Sequence, residues 1–474
     1  MPHGIEKGSK QVKLNARAIV IFTIVFCAFL VLSCNRKSHK NVEFQPPPHT
    51  ANSNTKDLFL EFKSHFSEHV YLVIKDISDQ YGVWISRLTK VTPDAEVSSY
   101  IEYRNISDDL KSGTSFAVDA NAIVGIAQRN DKKLVALGLQ KVDAVFNELN
   151  LFLIDPSVGI ESKLKFADIN FTEPKEKKCI YRSIERGFHG YNPVQIATYQ
   201  DKTILLTYYC QYYRLTVFDS NLKVIWSRDI TNQRTDVLGM YGEAFLKISD
   251  SGIIAIGVYF PAIDMPQYNE KFRTTLVSSG DFDILVTTYD INGTLLASQI
   301  VGTENLDLPK SLVIHGDSMY IVGRSIVNRP TSVRNFQNDM YIAALQFPSL
   351  KLNWEKLVDI QDEDSPESAI IVDDKFLLVG GSTGFLQVNT GSIIKHGDVF
   401  VTAFSLDGQE VGRNIFGTLR DDSVSTIVDM GNGKIVIGGV KDAAITHDGD
   451  NDRNQTHQFG FLDFISWKQH LNVQ

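Results

Sequence analysis

Asp448, Asp450, Asp452 and Asn454 alternate along one polar stretch. Oxygen ligands at alternate positions can converge on calcium, as in the D-x-D-x-D opening of a calcium loop. Two later positions fit this less well. Arg453 stands sixth, where such a loop uses Gly, and Phe459 stands twelfth, where it uses a bidentate Glu. A calcium site and a solvated acidic loop are both open readings of these four residues. Asp362-Glu363-Asp364 reads as an exposed connection, and Asp421-Asp422 as a cap on a turn between repeats rather than a catalytic pair. The 11 His are scattered without H-x-H or H-E-x-x-H spacing, which argues against a zinc hydrolase. G-x-S-x-G, a P-loop and C-x-x-C are absent too. No catalytic residue is assigned from sequence, and calcium is the one cofactor with any support. An enzyme is not excluded, because a site can be assembled from residues distant in the chain.

Of the 4 Cys, Cys179 and Cys210 lie 31 positions apart in the body of the chain. They are candidates for a disulfide if the protein is exported, and otherwise two thiols.

The first 50 residues bear on export. Lys7, Lys10, Lys13 and Arg17 precede an uncharged apolar run from Ala18 to Leu32. A run of 15 residues is short for a membrane-spanning helix, which needs about 20, and it has the form of a signal-peptide h-region. It ends in Val31-Leu32-Ser33-Cys34, which resembles the lipobox of bacterial lipoproteins, with Val31 where Leu is usual. The resemblance implies cleavage before Cys34, lipidation of Cys34, and anchoring to a membrane through that lipid. Asn35, which is not Asp, points by analogy to the outer membrane, with the folded part facing the periplasm or the cell surface. An uncleaved anchor is the alternative, and Arg36, Lys37 and Lys40 lend it some weight. Residues 34–55 are polar, contain Pro46-Pro47-Pro48, and suit a stiffened tether. The expected organisation is a signal peptide over 1–33, a lipidated tether over 34–55 and a folded body over 56–474.

Composition narrows the classes. The chain has 474 residues, 43% of them hydrophobic and 22% charged, with a formal net charge of −9. It can bury a large core, so it is neither a disulfide-stapled miniprotein nor a disordered chain. Loss of 1–33 would remove four basic residues and one acidic residue, leaving −12. Such a balance disfavours nucleic acid as a partner. Length alone suggests about three domains.

Repetition argues instead for a single body. Short apolar runs ending in Gly recur at Ile253–Gly257, Met319–Gly323, Phe376–Gly380 and Lys434–Gly438. They are β-branched and bounded by turn residues, and so read as strands. Each is preceded by a second strand, as at Leu312-Val313-Ile314, and followed after a longer segment by a third, as at Asp398–Phe404. Turns such as Asp290-Ile291-Asn292-Gly293 and Ser405-Leu406-Asp407-Gly408 lead to a fourth strand. Segments 301–324 and 416–439 align without a gap. Four antiparallel strands repeated every 57 or so residues make the blade of a β-propeller. The expected fold is all-β, a single β-propeller of about seven four-stranded blades, with six or eight also compatible. Expected blade starts lie near 115, 194, 244, 311, 369 and 425, with another blade around His69–Val91. The ring is expected to close by pairing the N-terminal strands with the C-terminal unit that ends in Phe459–Phe464.

The stretch 281–442 resembles the SBBP-type repeats of bacterial β-propellers. The resemblance rests on Gly397-Asp398, Asp407-Gly408, Phe416-Gly417-Thr418 and Asp421-Asp422. Trp84, Trp226 and Trp354, expected near the start of fourth strands, are similar in placement to those of quinoprotein-like propellers and of the propeller lipoprotein of the outer-membrane assembly machinery. The Gly-rich tryptophan-docking repeats of quinoprotein dehydrogenases are missing. These resemblances imply fold and compartment and no particular reaction.

Segments 258–281, 325–338, 382–397 and 440–457 read as long loops on one face. Long loops on a rigid scaffold concentrate binding residues. The functional expectation is a protein- or ligand-binding module whose partner is an envelope protein or an extracellular ligand. The alternative is an exported hydrolase or lyase acting on a polymer at the same face.

Overall fold

The computed structural model describes residues 60–61, 68–75, 81–89, 98–105, 112–118, 122–141, 147–165, 195–209, 212–230, 244–261, 282–328, 336–361, 363–389, 392–417, 422–445 and 456–472. The chain divides between Lys56 and Asp57, and all described residues belong to the second part. The apolar run 18–32, Cys34, the tether, Cys179, Cys210, Asp448, Asp450, Asp452 and Asn454 lie outside the described residues.

The described strands form seven four-stranded antiparallel units. A two-residue strand, β1 (Leu60–Glu61), comes first. Blade 1 is β2 (Glu68–Lys75), β3 (Tyr81–Thr89), β4 (Ser98–Asn105) and β5 (Ser112–Val118). Blade 2 is β6 (Ala122–Gln128), β7 (Leu134–Lys141), β8 (Asn147–Asp155) and β9 (Gly159–Lys165). Blade 3 is β10 (Gln195–Tyr199), β11 (Lys202–Tyr209), β12 (Tyr212–Phe218) and β13 (Val224–Asp229). Blade 4 is β14 (Ala244–Ile248), β15 (Ile254–Pro261), β16 (Phe282–Tyr289) and β17 (Leu295–Val301). Blade 5 is β18 (Leu306–His315), β19 (Ser318–Asn328), β20 (Phe336–Gln346) and β21 (Leu352–Val358). Blade 6 is β22 (Glu363–Val372), β23 (Phe376–Asn389), β24 (Ser392–Ser405) and β25 (Glu410–Phe416). Blade 7 joins β26 (Ser423–Gly431), β27 (Lys434–Ile445) and β28 (Thr456–Ser466) to β1, through Leu60↔Leu462 and Glu61↔Phe461. The last blade is thus built from both ends of the body, as in a closed propeller.

The core lies between blades. One apolar cluster combines Ile204 and Tyr213 of blade 3 with Ile254 and Ile256 of blade 4. Comparable clusters join blades 4 and 5, 5 and 6, and 6 and 7. Second and third strands are covered on both faces, which explains their unbroken apolar runs. Fourth strands lie at the rim and alternate in burial, as β21 does.

Of the segments read as long loops, 382–397 is strand over nearly all of its length, and the other three are strand at their described ends. β23 and β24 pair continuously to Asn389↔Ser392, leaving two residues at the turn. β23 runs five residues past Gly384, its last partner position with β22, and β27 likewise runs five past Val440. These ribbons project roughly 17 Å at 3.4 Å per residue. They run past the last positions paired with the first strands of their blades.

Trp226 and Trp354 do sit in fourth strands, whereas Trp84 lies in β3, the second strand of its blade. Trp226 Nε1 donates to Ile291 O at 3.0 Å and Trp354 Nε1 to Leu406 O at 3.3 Å, each in the turn of the following blade. The indoles lie against Gly293 and Gly408, where a Cβ would sit 3.1 Å from the ring. Both glycines have φ near +90°, so these turns need glycine for conformation and for space.

Candidate functional site

Third strands of blades 4, 5 and 6 carry Asp283, Asp339 and Asp398. The first strands or connections of blades 5, 6 and 7 carry Asp307, Asp364 and Asp422. Within blade 5, register places Asp307 opposite Ser325 and Ser325 opposite Asp339. Blade 6 repeats the row as Asp364, Thr383 and Asp398. Between blades the rows meet. A Cβ on Gly302 would lie 2.6 Å from Asp283 Oδ1 and 2.9 Å from Asp307 Oδ2. One on Gly417 would collide with Asp398 Oδ1 and lie 2.9 Å from Asp422 Oδ2. At the middle junction Asp359 replaces glycine, and carboxylate oxygens of Asp339, Asp359 and Asp364 lie within 4.8 Å of one another. Seven aspartates and two hydroxyls thus form a belt across four blades, near the end from which the hairpins project.

Most of the belt is buried: Asp283, Asp307 and Asp364 are 0% exposed and Asp339 and Asp422 3%, whereas Asp398 is half-buried and Asp359 is exposed. This corrects the reading of 362–364 as an exposed acidic connection; Asp364 points into the junction. Its carboxylate accepts from Ile360 N at 2.7 Å, Gln361 N at 3.2 Å and Thr383 Oγ1 at 2.8 Å. Asp307 accepts from Thr303 N at 2.5 Å and Thr303 Oγ1 at 3.0 Å. Each therefore satisfies the backbone where one blade hands over to the next. Asp422 N donates to Gly397 O at 2.7 Å, which agrees with a capping role between blades. Burial pushes Asp364 up to about 7, against the pull of its hydrogen bonds and with a further push from Asp359. Burial likewise raises Asp307 to about 6, with Asp283 adding to the rise. The Tyr341 phenol, buried and donating to Glu355 Oε2 at 2.6 Å, is held protonated.

In sequence, Asp398 reads as a strand opening and Asp422 as a cap, and the row that unites them is not apparent. The available signal was an aspartate recurring every 56 to 59 residues in two parallel series.

No family model matches the chain, and no curated protein matches it. Among solved structures it is similar to the β-propeller domain of the Trilobed protease from Pyrococcus furiosus, at 10% identity over 85% of this chain and 98% of that one, with a TM-score of 0.44. It is also similar to the Dos1 propeller (9%, 80% and 75%, 0.43) and to the polysaccharide lyase Uly1 (10%, 84% and 90%, 0.45). The chain is a β-propeller, and its likeness to these proteins is one of fold.

Proposed function

We propose that the chain is an exported, lipid-anchored β-propeller of the bacterial envelope that binds a protein or an extracellular ligand at the face where its hairpins project. In this reading Cys34 carries the lipid, residues 34–55 form the tether, and the repeats are of SBBP type. The observation that carries it is the projection of β23/β24 and β27/β28 beyond their blades at one end of the strands. Paired ribbons on a rigid ring offer backbone edges and side chains to a partner at low ordering cost. The buried aspartates belong to blade junctions and are occupied by backbone amides, so they support a scaffold better than a hydrolase or lyase.

The test is a crosslinking pull-down from intact envelopes, using the full chain and a variant in which 385–396 is replaced by a short turn. Loss of one defined partner, with an unchanged thermal midpoint, is expected. Equal recovery by the trimmed variant would reject the binding face. Cys34→Ala should abolish palmitate labelling, and persistent labelling would reject the anchor.

A further inference from the structure

Between blades 4 and 5 and between blades 5 and 6, two buried aspartates from different blades meet, Asp283 with Asp307 and Asp339 with Asp364. Two carboxylates this close and this dry do not both ionise readily, because each charge raises the cost of the other. Such a pair settles the conflict by keeping a proton. We propose that one carboxyl of each pair keeps its proton and so latches blade to blade, holding this half of the ring tight in mildly acidic surroundings and loosening it when the proton is released to water.

The facing groups are consistent with this. Asp307 on β18 faces Asp283 on β16, and both lie close enough to the Tyr341 phenol on β20 to act on it electrostatically. Its other partners, Thr303 and Ser325, are uncharged. Asp364 on β22 faces Asp339 on β20 and Asp359 after β21, with Thr383 on β23 as its neutral donor. Arg324 precedes Ser325 on β19, and Glu363 precedes Asp364 on β22. By strand alternation both point to the opposite face. Lys310 is engaged with Glu367 at 3.1 Å, between the first strands of blades 5 and 6. Arg413 reaches the Asp359 main-chain oxygen while its guanidinium is held by Glu410.

The direction follows from linkage. Asp307 and Asp364 have folded-state values raised to about 6 and about 7. Their contribution to stability is complete below the ordinary aspartate range and is lost as pH rises through those values.

Thermal unfolding of the full chain between pH 5 and pH 9 tests the latch, alongside an Asp307→Asn/Asp364→Asn variant. The midpoint of the unaltered chain should fall from pH 5 and level off above about pH 7, and the variant profile should flatten over that window. Parallel profiles would overturn the proposal. If the variant fails to fold, infrared spectroscopy of the unaltered chain decides. A protonated-carboxyl band should persist at pH 6 and fade by pH 8. No such band at pH 6 would overturn the latch. Thr383→Val removes a donor that favours the ionised form, so it should move the fading of that band to higher pH, and an unmoved band would count against it. A midpoint at pH 8 that rises with added calcium, and does not rise in the double variant, would make the junction an ion clamp and likewise overturn the proton latch.

Discussion

Asp364 is fully buried yet accepts three hydrogen bonds, two of them from the backbone that links blade 5 to blade 6. Asp364→Ala strands those donors in a dry junction, and a loss of about 2–4 kcal/mol is expected in chemical denaturation. Other carboxylates set the opposite limb of the pH profile. Asp290 is held below the usual range by its hydrogen bonds from Thr294, and Asp155 and Asp407 by theirs from Ser157 and Ser405. Their stabilisation is present above the ordinary aspartate value and is lost as pH falls through the lowered ones. Calorimetry should therefore find maximal stability near the ordinary carboxylate range, with a decline already under way by about pH 6. These roles were only partly legible in the sequence. An Asp beside Glu and a second Asp has the composition of a solvated connection. Only the pairing register shows that Asp364 turns inward beside Thr383.

Blade-to-blade latching recurs at the scale of elements. Trp354 leaves β21 to pack on the turn between β24 and β25, against Gly408 and 6.3 Å from the Tyr320 ring. Trp354→Ala should cost about 3 kcal/mol through lost packing. Trp354→Phe keeps most of the contact and loses the Leu406 bond, so a cost of about 1 kcal/mol is expected. Gly408→Val should approach the larger effect, because the turn needs positive φ and the indole leaves no room. Urea titration of the three variants would separate these terms. The turns themselves were legible, since Asp-x-Asn-Gly and Ser-x-Asp-Gly carry their own chemistry. The hairpins were not. Residues 385–396 hold Phe385, Leu386, Val388, Ile393 and Ile394 without a regular period, and the Asn-Thr-Gly-Ser at 389–392 has the look of a loop.

For the whole molecule, periodicity was the informative signal from blade 4 onward, where apolar runs ending in Gly recur at nearly even steps. The expected starts near 244, 311, 369 and 425 fall beside β14, β18, β22 and β26. The start near 115 lies seven residues ahead of β6. Closure by the N-terminal segment was also legible, and pairing of β1 with β28 accounts for it. Deleting residues 57–67 should lower the thermal midpoint by several degrees, because β28 then regains a free edge. Ring and hairpins together make the central claim, a rigid scaffold with one binding face. Photo-crosslinking on intact envelopes addresses it most directly, with the crosslinker placed at Asn389, the last residue of β23, or at Asp407, beyond the other end of β24. The account predicts a defined adduct from Asn389 and none from Asp407. Adducts from Asp407 alone, or equally from both, would contradict it.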